Sequence, residues 1–346
     1  MKVAKFYSPG DIRLEDVDEP RVLAGELKIR VRNCSACGTD LKISRSGHPN
    51  MTAPQVMGHE IAGEIVEVGD GVLSWARGDR VQVIAAIPDG TCADCVAGHQ
   101  SICPNQLSMG YQFAGGFAEY MIVPREVLAV NGVTNIPKAV SFAEASLAEP
   151  LACVLNGQEL ARVGSGDTVV VVGSGPIGCL HVRLARARGA ARIILIDVNA
   201  ERLVAAAALV LPDLTIASDG IDPIAAVLEA TGGRGADVVI TAAASATAQE
   251  QGLRMLARRG RLSLFGGLAK DAPNITVDSN LVHYRELTIV GVNGSSPDHN
   301  KRALALIASG EVPVLDLITH RFPLSQFFEA LEVVATGEAI KVTIEP

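Results

Sequence analysis

Residues 89–103 read DGTCADCVAGHQSIC and hold Cys92, Cys95 and Cys103 at intervals that suit a metal ion. A tetrahedral zinc site takes four ligands, and no fourth cysteine lies nearby. Either another side chain completes the set, or the lobe holds three thiols and no metal. A second group of metal-capable residues lies in NCSACGTDLK and VMGHEIAGEIVEVG, which contain Cys34, Cys37, His59 and Glu60. Cys34 and Cys37 form a C-x-x-C, but no second such pair follows at knuckle distance. A lone cysteine and a lone histidine are ordinary core residues. Thr39 adds a hydroxyl to this group, and Asp40 a carboxylate able to orient an imidazole from behind.

A third stretch, VVVVGSGPIG, sets Gly173, Gly175 and Gly178 in G-x-G-x-x-G spacing between an apolar run and the helix opened by Pro176 and Ile177. The first glycine allows the tight turn and the second admits a pyrophosphate. The third lets helix and strand pack closely, while the helix N-terminus faces the phosphates. A tight strand–helix turn without a ligand would carry the same pattern. Asp197, nineteen residues past Gly178 at the end of the next apolar run, argues for the dinucleotide, because an acid there binds the adenosine ribose hydroxyls. Its other reading is a helix cap. An acid also repels a 2′-phosphate, which favours NAD over NADP, although Arg202 follows closely.

These residues need scaffolds of two kinds. Through about residue 150, LKIRVRN, EIAGEIVEVG, DRVQVIAA and GGFAEYMIVP alternate apolar and polar positions between Gly and Pro punctuation, as half-buried strands do. SFAEASLAEPLACVLNGQELA then reads as helix. From Asp167, strands (TVVVVG, RIILID, ADVVITAA, GRLSLFG, LTIVGVNG) alternate with helices over Pro176–Arg188 and from near Ala200, the signature of a parallel doubly wound sheet. Past Pro297, two amphipathic helices near Lys301–Ser309 and Leu324–Thr336 precede a last strand, IKVTIE. This tail is not another βαβ unit and is expected to rejoin the first domain.

The chain has 346 residues, 48% hydrophobic and 20% charged, with a formal charge of −8. That length suggests about two domains of roughly 150 residues, and the composition is globular. No Lys/Arg cluster points to nucleic acid, and no apolar run reaches the ~18 residues of a membrane span. The amino end has no stretch of signal-peptide character, so a cytoplasmic protein is expected. In a reducing compartment seven cysteines argue for metal or catalysis over disulfides.

From end to end the chain resembles the zinc-dependent medium-chain dehydrogenase/reductase family, and especially its sorbitol (polyol) dehydrogenase-like members. The resemblance rests on CGTD, GHEIAGEIVEVG, the cysteines at 92–103, GGFAEY, AEPLACVLNG and VVVVGSGPIG, in that order. It implies an α/β protein: a discontinuous GroES-like catalytic domain (1–152 and 297–346) and a Rossmann NAD-binding domain (153–296). Cys37, His59 and Glu60 match the family's catalytic-zinc positions, and Glu149 a fourth carboxylate that binds zinc directly or through water. Thr39 matches the hydroxyl that takes the substrate proton, whereas Lys42 stands where many relatives have a relay histidine. Lys341 matches a basic position at the cofactor pyrophosphate.

The family's structural lobe runs C-x-x-C-x-x-C-x₇-C. Its last three positions fall on Cys92, Cys95 and Cys103 and its first on Asp89, with His99 as the rival. Two zinc ions per chain, one catalytic and one structural, are therefore expected. The implied reaction is hydride transfer between NAD and a secondary alcohol. Lys42, Arg45 and His48 give the expected pocket a polar, basic character that suits a polyol or sugar. A sugar-alcohol phosphate or L-threonine-type substrate is the alternative within the class, and a catalytically inactive NAD-binding protein the alternative outside it. The family also implies a homo-oligomer, dimer or tetramer.

Overall fold

Alternation in LKIRVRNCSA places Leu27, Ile29 and Val31 in the core and turns Arg30 and Arg32 to solvent. From Asn33 onward every residue of this strand, Leu27–Ala36, is buried. The computed structural model describes residues 1–346. They divide into two compact units, Met1–Cys153 with Gly294–Pro346, and Val154–Asn293.

In the first unit Leu27–Ala36 pairs antiparallel with Glu60–Val68, Tyr120–Val123 and the last strand, Lys341–Glu345. The sheet order is Val133–Asn135, Arg80–Val83, Glu60–Val68, Leu27–Ala36, Lys341–Glu345, Ile318–Pro323. Its core gathers Ile29, Ile61, Ile65, Met121, Phe117 and Phe327, the two phenylalanines meeting edge to face at 5.1 Å. Register matters most for chemistry. Ser35 lies opposite Glu60, and Ala36 opposite Val342. Cys37, His59, Glu60 and Lys341 are thereby brought to one end of the sheet.

The tail helices start differently from the periodicity. One begins at Pro297, not near Lys301, because Ser296 caps it and proline occupies its first turn. The other is Phe327–Thr336, since Leu324–Gln326 forms a 3₁₀ turn. The 141–161 stretch is likewise two helices, Phe142–Ser146 and Ala148–Leu160.

The second unit is a six-stranded parallel sheet ordered Leu214–Ala217, Arg192–Asp197, Thr168–Val172, Ala236–Thr241, Leu256–Leu264, Thr288–Gly291. This is the order of the Rossmann fold. Val169, Val170 and Val171 are fully enclosed, as expected of a strand covered on both faces.

Candidate active site

Cys37 caps the helix Gly38–Ser46. Its Sγ accepts from Thr39 N at 3.3 Å, and its own N–H donates to Asp40 Oδ2 at 3.0 Å. This reciprocal cap fixes the thiol at the helix mouth. His59 Nε2 lies 3.4 Å from Cys37 Sγ, and His59 Nδ1 lies 3.4 Å from Asp40 Oδ1. Asp40 is buried, and the ring is what this oxygen faces. The imidazole is thus held between a carboxylate behind it and a thiol in front, as ligating histidines are.

Beside it stand Glu60, 1% exposed, and Glu149, half-buried on the helix Ala148–Leu160. The donor atoms of His59, Glu60 and Glu149 lie within 4.8 Å of one another, as do those of Cys37, Asp40 and His59. His59 is common to both sets. Burial pushes both glutamates above the usual carboxylate range; for Glu60, Lys341 pulls the other way. Burial alone would depress His59, but the charges of Cys37 and Asp40 and hydrogen bonds to both raise it well above its ordinary value. Anionic groups crowded into low dielectric are what a divalent cation relieves. The thiol, imidazole and carboxylate donors suit zinc, so the residues fit the ion.

Lys341, expected at the pyrophosphate, is engaged within the first unit. It is 3% exposed, and its Nζ lies 2.7 and 2.6 Å from the two oxygens of Glu60. The register that sets Val342 against Ala36 decides this.

Around the cluster, Thr39, Lys42 and Arg45 are exposed on their helix. His48 stacks on Tyr111 at 4.8 Å, and Tyr111 faces His59 at 6.4 Å. Burial pushes the Tyr111 phenol up to about 12, so it stays protonated. Sequence reading missed Tyr111 because no periodicity marks it. It also missed Cys153, whose Sγ lies 3.7 Å from Glu149 Oε1. The i, i+4 spacing on a helix was the available signal.

The cysteine lobe gathers as its spacing allowed. The donor atoms of Asp89, Cys92, Cys95 and Cys103 lie within 4.8 Å of one another. Asp89 Oδ1 accepts from Thr91 N and Cys92 N, both at 2.9 Å, and Oδ2 from Asn105 Nδ2 at 2.6 Å. Those bonds, led by Asn105, hold its carboxyl well below the usual range. His99 is exposed and lies outside the set. Three sulfurs and one carboxylate form a donor set that fits zinc.

In the second unit Gly173 adopts φ 109°, and a Cβ on Gly178 would lie 1.8 Å from Gly173 O. Both glycines are obligatory there. Gly175 caps the helix Pro176–Ala187, with Ile177 in its first turn. Asp197 is 3% exposed and does not cap the next helix; Asn199 does, accepting from Arg202 N at 2.9 Å. The Asp197 carboxylate instead accepts from Ser174 N and Oγ, both at 2.7 Å, from Asn199 N at 2.9 Å, and from Arg202 Nη2 at 2.8 and 2.9 Å. Burial opposes its charge, but the bonds from Arg202, Asn199 and Ser174 prevail and keep the carboxyl low. A cavity of ≈ 430 Å³ opens here, lined by Gly173, Asp197, Val198, Arg202 and Ser218 among others.

A Rossmann sheet with this glycine turn, and a half-buried thiol and imidazole beside a buried carboxylate on a GroES-like sheet, define a zinc-assisted, nicotinamide-dependent dehydrogenase. Residues 23–133 match the alcohol dehydrogenase GroES-like domain, and residues 176–309 the zinc-binding dehydrogenase domain. The chain belongs to the zinc-dependent medium-chain dehydrogenase family. It is 32% identical to the sorbitol dehydrogenase of Halalkalibacterium halodurans, over 98% of this chain and 97% of that protein. It is 34% identical to the L-threonine 3-dehydrogenase of Bacillus velezensis (96% and 95%) and to the erythritol/L-threitol dehydrogenase of Mycolicibacterium smegmatis (100% and 98%). Among solved structures, a zinc-binding dehydrogenase of Sinorhizobium meliloti 1021 bound to NADP superposes with TM-score 0.93 at 30% identity, covering 100% of this chain and 99% of that one. No helix is long and apolar enough to cross a membrane.

Proposed function

We propose that the chain oxidises a secondary hydroxyl of a polyol or sugar with NAD as acceptor, and that Cys37, His59, Glu60 and Glu149 hold the zinc. One observation carries the substrate class: the metal-capable cluster is flanked by Tyr111, His48 and the cationic helix face of Lys42 and Arg45. Such a rim favours a ligand rich in hydroxyls over a long apolar alcohol. Relatives named for sorbitol and erythritol support the same class.

Zinc in this site supplies Lewis acidity that lowers the pKa of a substrate hydroxyl. The chain's own residues do the rest. Asp40 fixes the His59 ring, the helix cap fixes Cys37, and the exposed Thr39 hydroxyl takes the substrate proton. In the second unit Gly173, Gly175, Pro176, Ile177 and Gly178 present backbone to a pyrophosphate, and Asp197 with Arg202 meets the adenosine ribose. Asp89, Cys92, Cys95 and Cys103 hold a second, closed zinc that supports folding.

Lys42 and Arg45 also suit an anionic substrate, which keeps a sugar-alcohol phosphate as the second reading. A structure of galactitol-1-phosphate dehydrogenase from Escherichia coli, 26% identical with TM-score 0.88, supports it. Polyols, sugars, their phosphates and L-threonine, each supplied with NAD and followed by NADH absorbance, separate these readings. Preference for an unphosphorylated polyol is expected; exclusive turnover of L-threonine would overturn the proposal. Cys37→Ser and His59→Ala should abolish turnover while NAD binding persists. Near-normal turnover in purified Cys37→Ser would remove the site assignment.

A further inference from the structure

Behind Glu149 runs a series of buried polar side chains that the reaction as described does not use. Gln82 is 0% exposed, Asn300 2% and Ser295 3%. Gln82 Nε2 donates to Asn300 Oδ1 at 3.3 Å, and Asn300 Nδ2 donates to Ser295 Oγ at 3.1 Å. Ser295 is hydrogen-bonded to Cys153, and Cys153 Sγ reaches Glu149 Oε1 at 3.7 Å. We propose that Gln82, Asn300, Ser295 and Cys153 form a one-way chain of hydrogen-bond donors that ends on Glu149 and positions that carboxylate for the metal.

The direction follows from groups that can only accept. Gln82 Nε2 also donates to the carbonyl of Val83 at 2.9 Å, and Asn300 Nδ2 to the carbonyl of Ser296 at 3.1 Å. A carbonyl fixes which end of each amide carries nitrogen. Asn300 must therefore accept from Gln82 and donate to Ser295. The serine has one proton, and with its oxygen accepting from Asn300 that proton goes to the thiol. Cys153 then has its own S–H for Glu149, which as a carboxylate only accepts. Each donor polarises the next.

The links come from distant elements. Gln82 is on the strand Arg80–Val83, Asn300 on the helix Pro297–Ser309, and Cys153 one turn beyond Glu149 on Ala148–Leu160. An apolar side chain of similar size would fill the Cys153 position without needing partners on both sides. A thiol bonded on both sides engages one Glu149 oxygen, as partners behind metal ligands do.

The inference rests on the reading that Glu149 joins the metal site, and the test separates the two. Cys153→Val removes the donor at similar volume, Cys153→Ser keeps one, and Ser295→Ala cuts the chain one link back. In the zinc-loaded protein the readout is chelator-driven loss of the ion that supports turnover. In the cobalt-substituted protein it is the visible absorption of the ion.

Cys153→Val should release the ion about tenfold faster and shift the cobalt bands. Cys153→Ser should stay within about twofold of wild type, and Ser295→Ala should move in the direction of Cys153→Val by less. Wild-type release and spectra in Cys153→Val, with both changed in Glu149→Gln, would overturn the donor chain alone. Wild-type behaviour in Glu149→Gln as well would overturn the Glu149 assignment and the chain with it. Equal effects of Cys153→Val and Cys153→Ser would show packing at work, and would also overturn the proposal.

Discussion

Lys341 Nζ sits 2.7 and 2.6 Å from the two carboxylate oxygens of Glu60, a residue 281 positions away in the chain. Both side chains are nearly closed to solvent, at 3% and 2% exposure. Lys341 therefore supplies the cluster's internal counter-charge. An ion pair this deep adds little net stability over an apolar pair, yet removing one partner strands the other.

Lys341→Met should destabilise the metal-free protein by about 3–5 kcal/mol, because Glu60 then loses its paired cation in low dielectric. Zinc should restore part of that loss by replacing the missing positive charge. Urea denaturation with and without chelator checks this. Wild-type midpoints under both conditions would show that Glu60 does not depend on Lys341.

Elemental analysis of the purified protein should find two zinc ions per chain. Asp89→Ala should fall towards one while turnover is kept, with a lower thermal midpoint, because a closed zinc site contributes to folding. Asp89→Cys should keep both ions, and so should His99→Ala, whose ring lies outside the cluster. A single ion per wild-type chain, or loss of one in His99→Ala, would dismiss Asp89 as the fourth ligand.

Catalytic efficiency should favour NAD over NADP by at least about tenfold, roughly 1.4 kcal/mol. The buried Asp197 carboxylate repels a 2′-phosphate, although Arg202 offsets part of its charge. Asp197→Ala should erode the preference by leaving Arg202 unopposed. Equal efficiencies in the wild type would leave Asp197 with only its structural bonds to Ser174 and Asn199.

Acid should weaken the second unit through His181. The ring is fully buried against Phe265 at 4.6 Å, and Nε2 has no partner. Burial, helped by the charge of Arg188, pushes its pKa down to about 3. The unfolded side chain, at roughly 6.5, binds the proton first. Its contribution is thus complete above pH ~6.5 and is lost as pH falls from there towards the folded value, about 2 kcal/mol of it by pH ~5. Denaturation of His181→Leu at pH 7 and pH 5 should show a smaller drop than wild type. An equal drop would assign the acid sensitivity to other groups.

Much of this protein is local, and what is local was legible. The G-x-G-x-x-G turn, with Asp197 at the next strand end, is one strand–turn–helix unit whose glycines answer to contacts a few residues away. Asp89, Cys92, Cys95 and Cys103 likewise close a single loop: the spacing marked the three cysteines, and the family resemblance pointed to Asp89 as the fourth member. Alternation in LKIRVRN and the apolar run TVVVVG announced two kinds of sheet because burial on one face or two writes itself into periods of composition.

What the sequence could not show is which distant residues touch. Lys341 pairs with Glu60 because strand register sets Ala36 against Val342 and Ser35 against Glu60. Tyr111 faces His59 from a loop without periodicity, and the chain from Gln82 to Glu149 links elements more than 200 residues apart. A side chain's type fixes how many hydrogen bonds it can make. Only the packed structure, which removes water and leaves each buried donor few acceptors, decides where those bonds go.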